Sequence, residues 1–145
     1  MELSNKSEYA LLALLELANC YQTGDSLQIR QIAALQDIPN RYLEQLLATL
    51  RRGGLIKSIR GAKGGYVLAR DPRKITILDA FNCIEGADSM MPAEDTSSKT
   101  AESEVIYEVW QEARQAANSV LQKYSLQDLC ERRASRQNIE IMYYI

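Results

Sequence analysis

YLEQLLATLRRGGLIKSIRGAKGGYVLAR, residues 42 to 70, decides the fold. Leu43, Leu46, Leu47 and Leu50 fall at i, i+3, i+4 and i+7, the spacing of a single core-facing stripe on an α-helix. Gly53-Gly54 stops that helix. LIKSIR and GYVLAR then gather β-branched and aromatic residues on either side of Gly61-Ala62-Lys63-Gly64-Gly65, which predicts a two-stranded hairpin with a glycine-rich tip. Residues 50 to 70 hold five of the seven glycines and six of the seventeen Lys and Arg, so flexibility and positive charge are concentrated in one place.

Upstream, residues 8 to 18 are apolar on nearly every face, which predicts a helix buried on several sides, with Ser4, Asn5 or Ser7 as its cap. After the polar break at residues 22 to 26, Ile29, Ile32 and Ala33 mark a short second helix, which ends near Asp37-Ile38-Pro39 because proline disfavours helix in the residue before it. Asn40 is then the expected N-cap of the leucine-striped helix. Downstream, Thr76 caps a helix over ILDAFNCIEG that closes a first unit, residues 1–86. Residues 87–101 have linker composition, and a long helix follows from about residue 102 to 124.

Composition narrows the function. The chain of 145 residues carries a net charge of −2 and suits a soluble protein with one domain of ordinary size and a helical extension. Its apolar runs are too short for a membrane span and no leader pattern opens it, so the expected location is the cytoplasm. The absence of histidine removes Ser-His-Asp, Cys-His and HExxH chemistry, and an enzyme is not expected. Charge is uneven: residues 1–86 carry 11 basic against 9 acidic side chains, and residues 87–145 carry 6 against 10. Arg51, Arg52, Lys57, Arg60, Lys63, Arg70, Arg73 and Lys74 face Asp71 alone within residues 51 to 74, a local patch suited to a polyanion.

Helix, short helix, turn, helix and glycine-tipped hairpin is the order of a winged helix-turn-helix, mainly α with one small hairpin. Its third helix would offer a polar outer face to a major groove roughly 12 Å wide, while Arg60 and Lys63 supply charge to phosphates or a narrow minor groove. On the long helix, Val105, Val109, Ala113, Ala116, Val120 and Tyr124 form one apolar stripe, widened by Ile106, Trp110, Ala117 and Leu121. The leucine-rich first unit already has partners for its own core, so a second copy is the expected cover for that stripe. The tail, ending IEIMYYI, predicts a short helix at 126 to 133 with the last residues packed against the long helix or the winged unit.

KSEYALLALLELA, followed by the continuous run from Ile29 to Gly86 that contains YLEQLL and GLIKSIRGAKGGYVLAR, resembles the Rrf2 family of bacterial transcriptional regulators over residues 1 to 86. The resemblance implies a homodimeric regulator, expected to be a repressor, that binds pseudo-palindromic double-stranded DNA. It places the YLEQ helix in the major groove, making Asn40, Arg41, Tyr42, Glu44 and Gln45 candidates for base and adjacent phosphate contacts, and carries the wing over to Ser58, Arg60, Lys63 and Gly64. Arg51 and Lys57 join these from the basic patch. Glu44 would accept from cytosine N4 or repel wrong bases; otherwise it is a solvent-facing partner of Arg41 or Arg51.

Several family members hold an iron-sulfur cluster on three cysteines between the winged unit and the long helix. Residues 87–101 contain no cysteine here; Cys20, Cys83 and Cys130 lie elsewhere. The resemblance is therefore to the branch without cluster ligands, no cofactor or metal is expected, and a small molecule or a protein is the expected kind of effector. Two alternatives stay open: a winged-helix module that docks an acidic protein, and a sensor with a cluster assembled from carboxylates and scattered thiols across a dimer.

Overall fold

The computed structural model describes residues 3–86 and 100–144. Among the described residues six helices and one hairpin follow in the order α1 (Asn5–Asn19), α2 (Ile29–Gln36), α3 (Asn40–Arg52), β1 (Ile56–Ile59), β2 (Gly65–Leu68), α4 (Ile77–Glu85), α5 (Ala101–Lys123) and α6 (Leu126–Tyr144), with a 3-10 turn at Pro72–Lys74. This is a winged helix-turn-helix with two C-terminal helices.

The centre of the fold is α1, whose Ala10, Ala13, Leu14 and Leu17 are at most 1% exposed. Small residues alternate with leucines there, letting α2, α3, α4, α6 and β2 all approach it. Ser4 caps α1 by accepting from the Ser7 N–H at 3.2 Å. On α3 all four stripe leucines are buried, leaving the polar face outward as their spacing predicts. Thr76 caps α4, accepting from the Asp79 N–H at 3.0 Å while the Asp79 carboxylate accepts from the Thr76 N–H.

Three details differ from the sequence reading. Pro39, not Asn40, stands at the cap of α3; it makes no side-chain capping bond, and Asn40 is the first helical residue. Proline's fixed φ suits the entry to a helix, which moves the start by one position. The tail is one helix to Tyr144 and not a short one ending at 133. Nor do its last residues pack down: Ile139, Ile141 and Met142 are 54%, 57% and 76% exposed, because nothing in a single chain lies over them. Instead the beginning of α6 enters the core, where Leu126 is fully buried.

That insertion is held by backbone. The Leu126 N–H donates to Ile75 O and the Ile77 N–H to Tyr124 O, each at 2.9 Å, so residues 124–126 form a small antiparallel bridge beside the start of α4. Arg133 of α6 donates to Glu16 Oε1 at 2.8 Å, and Gln36 at the end of α2 donates to the same oxygen at 2.6 Å. The half-buried residues of α5 are Tyr107, Gln111, Arg114, Ala117, Asn118 and Leu121, one mixed face at helical spacing, and α5 rests on α4. Val105, Val109, Ala113, Ala116 and Val120 are on the other side, whereas Ala117 and Leu121, read from the sequence as widening the stripe, lie on the packed face because helical spacing turns them toward α4. Among the described residues no helix is long and apolar enough to cross a membrane.

Candidate nucleic-acid interface

The two elements of the site are α3 and the wing. Because leucine occupies every inward position of α3, Asn40, Arg41, Glu44 and Gln45 are all exposed on its outer face. Tyr42 is placed differently. Its ring is half-buried and meets Tyr9 edge-on, with centroids 5.7 Å apart and planes at 81°, so the aromatic body serves the contact between α3 and α1. Arg51 is exposed in the last turn, where its charge also complements the carboxyl end of the helix dipole. Among the described residues Glu44 makes no ion pair, so neither Arg41 nor Arg51 neutralises it.

The wing is pinned down by backbone at its base. Ile56, Lys57, Ser58 and Ile59 pair with Leu68, Val67, Tyr66 and Gly65. A third strand segment joins them: Leu27 N–H donates to Tyr66 O at 3.0 Å and Tyr66 N–H to Leu27 O at 2.7 Å. The Ser26 hydroxyl donates to Lys63 O at 2.7 Å. A Cβ on Gly65 would stand 2.5 Å from Leu27 O, and one on Gly64 would stand 2.5 Å from Ile59 O. These two glycines allow the close backbone approach that joins the wing to residues 26 and 27.

Lys57, Ser58, Arg60 and Lys63 are exposed on the wing, and Gly64 is half-buried. Strand alternation sends Lys57 and Ser58 to opposite faces of the hairpin. A cleft runs between α3 and the wing, lined by Asn40 and Glu44 on one wall and by Ile59, Gly61, Gly64, Gly65 and Tyr66 on the other. Its floor is the start of α2, Gln28, Ile29 and Arg30. A second cleft on the far side of the wing brings Lys63 to Ser26, Gln28 and Arg30. Of the sequence candidates, Asn40, Glu44 and Gly64 share the first cleft and Lys63 the second, while Arg41, Gln45, Arg51, Lys57, Ser58 and Arg60 lie on the surface outside both. Gln28, Ile29, Arg30, Ile59 and Tyr66 were missed. The lone cation in the outward-facing start of a short helix was the available signal for Arg30.

The apolar stripe of α5 is the second candidate surface. Val105, Val109 and Val120 are 54 to 61% exposed, Ala113 and Ala116 are exposed, and Ile106 and Trp110 extend the open face. Tyr124 is half-buried and sits beneath Arg132, whose guanidinium carbon is 4.7 Å from the ring centroid.

A family model described as Rrf2, iron-dependent transcriptional regulator, matches residues 3–132. The chain is 35% identical over 143 residues to the HTH-type transcriptional regulator CymR of Bacillus subtilis, covering 99% of each. Among solved structures, it is similar to IscR of T. potens at a TM-score of 0.79 and 32% identity, covering 94% of this chain and 91% of that one. It is similar also to CymR of B. subtilis, titled the global cysteine regulator, at 0.75 and 35%, covering 90% and 97%.

The iron in that family description is tested by the thiols. Cys20 caps the end of α1, Cys83 on α4 lies 3.5 Å from Thr49 O, and Cys130 on α6 lies 3.9 Å from Leu15 O. Burial pushes each thiol above its ordinary pKa, and at Cys83 the Arg52 charge only partly offsets this. Iron-sulfur clusters take thiolates, and among the described residues no three Cys, His, Asp or Glu side chains gather. The described residues do not fit a cluster. Asp88, Met90, Met91, Glu94 and Asp95 lie outside them.

Proposed function

This chain belongs to the Rrf2 family of DNA-binding transcriptional regulators, and on that premise we propose that it works as a homodimeric repressor of a pseudo-palindromic operator. In this reading α3 enters the major groove, with Asn40, Arg41, Glu44 and Gln45 facing base edges and nearby phosphates, and Tyr42 holding the helix against α1. Arg51, Lys57 and Ser58 supply backbone contacts, and Arg60, Lys63 and Gly64 bring the wing to the adjacent minor groove. Val105, Val109, Trp110, Ala113, Ala116, Val120 and Tyr124 form the contact with the second copy.

One observation carries the reading. α5 turns a mixed face to its own α4 and leaves its valine and tryptophan face open, the reverse of what a helix serving only its own chain would do. A second copy laid across that face would set two reading helices about 34 Å, or a multiple of it, apart. Repression follows from occupancy, since a dimer spanning two half-sites excludes other proteins from that DNA.

The test begins with selection of duplexes from a random pool by the purified protein. The expected outcome is a two-fold symmetric sequence bound with an affinity that falls steeply with salt, and about a tenfold loss in Arg60→Ala. In a transcription assay, adding the protein to a template with that site should lower output. A selected pool without symmetry, or binding indifferent to salt, would overturn the proposal.

A further inference from the structure

Arg30 lies in the cleft that the reading helix and the wing both border. It is exposed at the start of α2, and it lines the cleft between α3 and the wing as well as the cleft beyond the wing. Its Nε donates to Gln28 Oε1 at 2.9 Å. The Gln28 backbone N–H is in turn held by Gln31 Oε1 at 2.8 Å. The guanidinium is thus engaged through Nε alone, and both terminal nitrogens stay available. Among the described residues Arg30 makes no ion pair, although Glu44 lines the same cleft.

What separates a major groove from the neighbouring minor groove is a sugar-phosphate strand. A protein that puts α3 in one and the wing in the other must let that strand pass through the cleft between them. Glu44 on the cleft wall would repel it, and Arg30 on the floor is the cation placed to offset that repulsion and to take a phosphate with two parallel N–H donors. We propose that Arg30 is a phosphate-contacting residue that clamps the DNA strand crossing between α3 and the wing. The proposal rests on the DNA-reading function proposed above and adds α2 to the elements that touch DNA.

The experiment compares wild type, Arg30→Gln, Arg60→Ala and Arg136→Gln, an exposed cation outside both clefts, on the selected operator and on an unrelated duplex across a salt series. For Arg30→Gln the expected result is a loss of about tenfold on both duplexes, with the log-log salt slope shallower by about one per protomer and the melting temperature unchanged. Arg136→Gln should match wild type. Wild-type affinity and slope in Arg30→Gln beside a weakened Arg60→Ala would overturn the clamp and leave the operator reading standing. A loss confined to the operator would overturn it too, by making Arg30 a reader of bases. A wild-type protein that binds no duplex would remove both.

Discussion

Gly65 shows how a single residue shapes the interface. The hydrogen atom in place of a side chain lets β2 come within ladder distance of Leu27, and any Cβ would press on backbone that cannot turn aside. Gly65→Ala should cost about 1–3 kcal/mol of stability and weaken DNA binding as the wing base is forced open, measured by denaturant unfolding and by titration with DNA. Glu85 acts at the opposite end of the winged unit. Hydrogen bonds from Ser4 and Ser7 to Oε1, with Lys6 Nζ 3.9 Å from Oε2, hold its carboxyl below the usual value of 4.5. A carboxyl whose folded pKa is depressed contributes stability that is full above the unfolded value and is lost as pH falls through the folded one. Wild type should therefore exceed Glu85→Gln by about 1 kcal/mol at pH 7, keep that margin to about pH 5, and lose it in stronger acid, as chemical denaturation at a series of pH values would show. An unchanged margin at pH 2 would mean the serines do not favour the charged form.

Among the elements, the join between α5 and α6 is the least ordinary. Leu126 fills the core from a segment that follows the long helix, and the backbone bridge to residues 75–77 fixes it there. α5 is thus anchored at its C-terminal end to its own winged unit while its stripe remains open. Leu126→Ala should destabilise the protein by about 2–5 kcal/mol, and the loss should appear as a lower single transition of the whole winged unit. Separate early melting of α6, with the winged unit unmoved, would show that Leu126 belongs only to the tail. Local signals placed α1 to α4 and the hairpin closely: α2, α3 and α4 by one buried face at helical spacing, α1 by its apolar run and the hairpin by its glycine-rich tip. They misjudged α6, whose residues beyond 133 keep helical spacing without a face buried in the single chain.

On the scale of the whole molecule, the proposed dimer turns two weak readers into one strong one, since linked readers multiply affinity when the linkage lets both engage their half-sites at once. Val109→Glu places a charge in the middle of the open stripe. Sedimentation should then show a monomer with unchanged helical circular dichroism, and operator affinity should fall about a hundredfold. A variant that still sediments as a dimer would move the contact elsewhere, to the exposed end of α6 among other places.

By itself the sequence determined which residues are inside and which chemistry is outside: the stripes of α3 and α5 are periodicities, and the apolar α1 and the basic wing are local compositions, each set along one element. The tertiary structure alone decided what meets what. The cleft that joins Asn40 and Glu44 to Arg30, the Leu27–Tyr66 bridge that stiffens the wing, and the burial of Leu126 all bring together residues from different elements. Such contacts are set by how elements pack in space, which no repeat within a single element encodes.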